Sequence, residues 1–229
     1  MKLLAIDTAT EGCSAALLVD GKVITRMVVE PRKHAELILP MLDELLAEAE
    51  LSVSQLDALA FGRGPGAFTG VRIATGVIQG IAFGADLPVV PVSTLRALAQ
   101  RTYEEYKHEN VLTAFDARME EVYWAAYQLA DNGLMQLQGE EAVLAPDQVS
   151  CDSEVNWVAA GSGFAAYSDV LSNALDNNLL ETYPALINRA HEVLQLAEYD
   201  YAQGLAVDAE KALPVYLRNK VAWKKQTKK

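Results

Sequence analysis

Apolar positions fall into short strand-like runs and longer helical stripes, beginning with residues 3–6, a buried-strand run that stops at Asp7. Residues 13–19 and 22–29 read as two more strands, and the turn dipeptide Asp20-Gly21 between them predicts a hairpin. Over residues 35–49, Ile38, Met41, Leu42, Leu45, Leu46 and Ala49 recur at helical spacing. Pro40 lies inside that run, so the helix is expected to start near Leu39 or to kink there. A strand at residues 58–61 leads into Gly62-Arg63-Gly64-Pro65-Gly66-Ala67-Phe68-Thr69-Gly70. A helix over residues 69–85, a buried strand at 88–92 and a helix over 94–106 follow.

The pattern then restarts. Residues 111–115 end at Asp116, 109 positions after Asp7, and strands at 121–129 and 134–138 flank Asn132-Gly133, 112 positions after Asp20-Gly21. A strand at 157–160 runs into Gly161-Ser162-Gly163, and residues 187–202 have helical periodicity. Repetition of this order predicts a duplicated α/β fold on the actin, Hsp70 and hexokinase (ASKHA) plan. The expected division is an N-terminal lobe over 1–108, a C-terminal lobe over 109–217 and a basic tail over 218–229. In that plan two strand-end aspartates, here Asp7 and Asp116, face each other across a nucleotide cleft; this is an analogy of fold, not of function.

Charge narrows the partners. The 229 residues hold 31 acids against 19 bases, a net of −12. Residues 111–217 carry 17 acids and only Arg118, Arg189 and Lys211, whereas 218–229 carry six bases and no acid. Most of the surface therefore repels phosphate backbones, and any contact with RNA is expected to be indirect or through the tail. Cys13 and Cys151 are too few for a disulfide framework or a four-ligand zinc site, which fits a reducing cytoplasm. No run is read as a signal peptide or membrane span, because Val77 to Val92 is broken by Asp86, Pro88 and Pro91.

The glycine-rich segment has no Gly-Lys-Ser/Thr, so it is not a Walker loop. It satisfies a loose dinucleotide fingerprint, but Pro65 removes an amide and the following strand ends without an acid for a ribose. A tight turn stiffened by Pro65 explains it more simply. Gly76, Gly80 and Gly84 recur every four residues and leave one helix face flat, for packing against this chain's own core or against another subunit. Each costs roughly 1 kcal/mol of helix stability against alanine, which close packing would recover. The turns Asp7-Thr8-Ala9-Thr10 and Asp116-Ala117-Arg118 lack the glycine that brings backbone amides to phosphate, which argues against an intact ATPase. His34, His108 and His191 are too dispersed for a zinc-protease motif, and Ser162 lacks the nucleophile-elbow pattern.

Leu4-Ala5-Ile6-Asp7-Thr8-Ala9-Thr10, the segment from Gly62 to Arg72, Phe115-Asp116-Ala117-Arg118-Met119 and Pro214-Val215-Tyr216-Leu217-Arg218 together resemble the bacterial TsaB, or YeaZ, family along essentially the whole chain. The resemblance implies a non-catalytic subunit in the formation of threonylcarbamoyl-adenosine at tRNA position 37, in tRNAs reading codons that begin with adenine. There the relative TsaD transfers the threonylcarbamoyl group from its adenylate, the small ATPase TsaE joins through TsaD, and the TsaB member binds and supports TsaD. Isolated members pair as homodimers through the same surface. Carried onto this chain, that surface comprises His34, Ile38, Met41, Phe68, Arg72, Ile73, Gly76, Gln79, Gly80 and Phe83. A weak nucleotide cleft would use Asp7, Thr8, Asp116, Gly161 and Gly163, with no cofactor beyond weakly held ATP or ADP at the complex interface. The metal-binding His-x-x-x-His of TsaD corresponds here to Thr94 and Leu98, which leaves no transition-metal ligands. The rival expectation, from a different class, is an independent ASKHA-type ATPase or small-molecule kinase using Asp7 and Asp116.

Overall fold

The computed structural model describes residues 1–175 and 178–218; of the basic tail, only Arg218 falls among them. The strands are β1 (Lys2–Asp7), β2 (Cys13–Val19), β3 (Lys22–Val28), β4 (Ala58–Gly62), β5 (Val89–Val92), β6 (Asn110–Arg118), β7 (Glu121–Leu129), β8 (Met135–Leu144), β9 (Trp157–Ala160) and β10 (Leu179–Tyr183). The helices are α1 (His34–Glu48), α2 (Phe68–Ala85), α3 (Thr94–Tyr106), α4 (Ser162–Ala166), α5 (Ser168–Leu175) and α6 (Ala190–Ala202).

The two sheets have the same plan: β3-β2-β1-β4-β5 in the first and β8-β7-β6-β9-β10 in the second. In each, the hairpin strands run antiparallel and the following strands add in parallel. This is the duplicated ASKHA arrangement expected from the internal echo. Side-chain alternation gives each sheet two apolar faces. Leu4, Ile6 and Leu59 pack with α1 and α2, while Leu3, Ala5 and Ala60 pack with α6. In the second sheet Val111, Tyr127 and Val158 meet α3, and Leu112, Trp124 and Trp157 meet Phe164 of α4 and Leu171 of α5.

The middle layer crosses the sequence halves. α3 follows the first sheet but lies on the second, and α6 follows the second but lies on the first. Chain beyond α6 stays with the first sheet: Val207 bridges Val89, and Ala212 is buried beneath α2. The 1–108 and 109–217 segments therefore exchange one helix and a terminal strap.

Several boundaries differ from the sequence reading. α1 begins at His34, with Pro40 in its second turn; Glu36 and Pro40 are exposed, so water can satisfy the carbonyl that Pro40 leaves unbonded. β6 does not end at Asp116 but passes through a bulge to Arg118. No helix separates β8 from β9, only a 3-10 turn at Pro146–Gln148, so the second half lacks a counterpart of α1. α6 begins at Ala190 rather than 187, and α4, α5 and β10 were not anticipated. α2 also corrects the membrane reading: its 18 residues, with mean hydropathy 1.2, are long and apolar enough by composition to span a bilayer. In the fold its inner positions Val71, Ala74, Ile78 and Ala82 are buried against the sheet.

Candidate functional site

The end of β1 is closed off by the glycine-rich segment. Thr8 donates its hydroxyl to the Gly70 carbonyl at 2.7 Å, and the Ala67 amide donates to the Ala9 carbonyl at 2.8 Å. A methyl group at Gly66 or Gly70 would strike the Ala9 or Thr8 carbonyl, and one at Gly62 would strike the Asp7 carboxylate. These glycines admit the chain's own backbone and a buried carboxylate. Asp7 is fully buried; its Oδ1 accepts from Ala9 N at 3.0 Å, while Oδ2 has no partner. Burial pushes its pKa up to about 7, against the lowering effect of the Ala9 amide and Asn188, with Glu192 adding to the rise.

Between the lobes lies a cleft of about 1030 Å³. Asp116 lines it but Asp7 and Thr8 do not, so the expected pair of facing aspartates is not formed there. The Asp116 carboxylate is engaged at its own turn, accepting from the Arg118 amide at 2.8 Å and pairing with the Arg118 guanidinium at 2.9 Å. Gly161 and Gly163 are also spent on packing, since a side chain at either would strike Ala114 of β6. Four arginines line the cleft, Arg32, Arg72, Arg118 and Arg218, against two acids, Glu11 and Asp116. The terminal strap forms part of its wall: Val215 N donates to Arg63 O at 2.9 Å, and the Arg218 guanidinium bonds Glu121 and the Ala117 and Arg118 carbonyls. Tyr216 stands 6.1 Å from Phe68, and the Arg72 guanidinium lies 3.2 Å from the Phe68 ring centre and 5.2 Å from that of Tyr216.

The outward face of α2 is the second feature. Gly76, Gly80 and Gly84 are exposed, and a side chain added at any of them would meet nothing within 4 Å. The alternative that this stripe packs against the chain's own core is thereby excluded. Phe83 beside it is 84% exposed and Phe68 is 63% exposed, which is unusual for large aromatics on a folded surface. Ile73 is half-buried, and Gln79 is partly engaged, donating to Ala212 O at 3.1 Å. On α1 the expected surface residues need correction. Ile38 and Met41 belong to the core, and His34 is buried with Nε2 3.0 Å from Thr10 O. The helical stripe that revealed α1 is its core-facing side, and the large apolar residue on its exposed side is Leu39, at 50%.

Thr94 donates its hydroxyl to the Pro65 carbonyl, and Leu98 packs in the core of the second lobe. Among the described residues one group has metal-ligand proximity: Glu104, His191 and Glu192, between α3 and α6. Its fully buried Glu192 is already held by Arg189, so the group is an ion-pair network. Sequence reasoning missed Arg32, Tyr216 and Arg218 as cleft residues. The motif around Tyr216 was visible, but its return to the first lobe was not.

Over residues 28–226 the chain matches the family described as "TsaD: tRNA N6-adenosine threonylcarbamoyltransferase". It is 45% identical over 228 residues to the tRNA threonylcarbamoyladenosine biosynthesis protein TsaB of Escherichia coli K12, covering 98% of each chain. With the protein of the same name from Haemophilus influenzae it is 44% identical, over 98% of this chain and 97% of that one. Among solved structures, YeaZ from Pseudomonas aeruginosa superposes with a TM-score of 0.89 at 48% identity, over 94% of this chain and 99% of that one.

Proposed function

The chain belongs to the TsaB, or YeaZ, family and so to the tRNA threonylcarbamoyladenosine biosynthesis system, and from that premise we propose that it is a non-catalytic cytoplasmic subunit that binds and supports TsaD. TsaE joins through TsaD, and a homodimer of this chain competes for the same face. The observation that carries this reading is the outward face of α2, where three glycines with open space above them lie beside the exposed Phe83. A flat apolar face of this kind lets a helix of a partner approach closely, and its burial would offset the helix stability that the glycines cost. The product expected of the complex is threonylcarbamoyl-adenosine at position 37 of tRNAs that read codons beginning with adenine.

An independent ATPase or kinase needs both strand-end carboxylates at the nucleotide, whereas Asp7 is sealed beneath Gly62 and Asp116 is paired with Arg118. The deciding assay is transfer of the threonylcarbamoyl group to tRNA by TsaD and TsaE, supplied with ATP and the threonylcarbamoyl adenylate, with and without this chain. The subunit reading expects product only when TsaD and this chain are both present. Product from this chain alone, or no effect on TsaD, overturns it. Gly80→Leu should abolish co-purification with TsaD while leaving the free chain folded.

A further inference from the structure

We propose that the inter-lobe cleft, through Arg32, Arg72 and Arg118 and the exposed rings of Phe68 and Tyr216, binds single-stranded RNA. The inference deepens the proposed function, and it rests on that reading for the choice of RNA over other polyanions.

Charge distribution is the first argument. The molecule carries −12, yet four of its nine arginines line this one cleft with only two acids, a local balance of +2. Among the described residues Arg32 and Arg72 have no carboxylate partner, while Arg118 is 86% exposed beside Asp116. An anionic strand is therefore repelled by most of the surface and drawn to the cleft.

Ring geometry is the second. Phe68 and Tyr216 are 63% and 47% exposed, and Arg72 is held by cation-π contact with both. An arginine fixed in this way keeps its N–H edges free for phosphate, and the exposed rings can stack on unpaired bases. The β6–β7 turn is the third. Arg118, Met119 and Glu120 have φ of 60°, 58° and 61°, the left-handed backbone of a tight two-residue hairpin turn, and this turn sets Arg118 on the cleft wall. A magnesium triphosphate fits less well, because of the two strand-end carboxylates that would flank the metal only Asp116 lines the cleft, and it is paired with Arg118.

The test uses the full chain and a fluorescent single-stranded RNA of about 12 nucleotides carrying an anticodon-loop sequence, titrated at several salt concentrations. Arg32→Ala with Arg118→Ala should weaken binding about 10-fold or more and flatten the log–log salt slope by about 1.4, the share of two phosphate contacts on a single strand. Arg32→Lys with Arg118→Lys should restore most of the affinity, and Arg26→Ala, outside the cleft, should leave it unchanged. Co-purification of the same variants with TsaD reports separately on the subunit reading, because neither Arg32 nor Arg118 lies on α2. Four results would overturn the proposal: no binding at low salt, binding indifferent to the double alanine variant, a duplex or an acidic peptide competing as well as the single strand, or displacement by ADP at equal affinity.

Discussion

Asp7 shows how one residue type carries opposite meanings in the sequence and in the fold. As the end of a buried strand it marks the place where ASKHA enzymes keep a carboxylate for catalysis, but here burial raises its pKa from 3.8 to about 7. Unfolded, the group loses its proton near 3.8; folded, it keeps it to about 7. Between those values the folded state binds the extra proton, so stability falls as pH rises, and the contribution is gone above about 7. About three pH units at 1.36 kcal/mol each make this on the order of 4 kcal/mol. Asp7→Asn retains an oxygen for the Ala9 amide and removes the titration. Melting curves from pH 5 to 8 should show the variant gaining on the native chain as pH rises and exceeding it at pH 8. A constant difference across that range would show that Asp7 does not titrate on folding.

At the scale of the element, α2 divides its glycines between two roles that spacing alone does not separate. Gly70 faces inward, where a methyl would collide with the Thr8 carbonyl, whereas Gly76 and Gly80 face open space. Gly70→Ala should therefore destabilise the chain by about 1–3 kcal/mol in urea unfolding, through forced displacement of the β1 end. Gly76→Ala and Gly80→Ala should each stabilise the free monomer by about 1 kcal/mol and, if the proposed docking of TsaD on this face holds, weaken co-purification with TsaD. The stripe was legible in the sequence, but its direction depends on where the buried positions Ala74, Ile78 and Ala82 settle on β4. The same logic accounts for α1, whose periodic residues mark the hidden side.

Across the whole molecule, the lobes are joined by exchange of α3 and α6 rather than by a linker. Arg96 of α3 bonds both carboxylate oxygens of Asp200 on α6, at 3.1 and 2.9 Å, and donates to the Met135 carbonyl of the second sheet at 2.9 Å. One guanidinium thus ties together groups from both halves, with Asp200 only 12% exposed. Asp200→Ala leaves a half-buried charge unpaired and should cost about 2–4 kcal/mol. Because the helices interlock, the native chain should unfold in a single transition, with tryptophan fluorescence and far-ultraviolet circular dichroism coinciding. Separate midpoints for the two probes would mean that the lobes unfold independently.

The sequence by itself determined the strand and helix order of the first half, the twofold repetition and the family, because hydrophobic period, turn dipeptides and short motifs are local properties of the chain. Asp20-Gly21 forms its turn with φ of 48° and 84°, as that dipeptide predicts. Met119-Glu120 closes the β6–β7 hairpin with left-handed φ of 58° and 61°, although neither residue is a turn signal of that kind. Only the tertiary structure decided that Asp7 is sealed, that Ile38 and Met41 are core, that the glycine stripe looks outward and that Tyr216 returns to Phe68. Each of those facts depends on which distant surface covers a residue, and periodicity carries no record of what lies opposite.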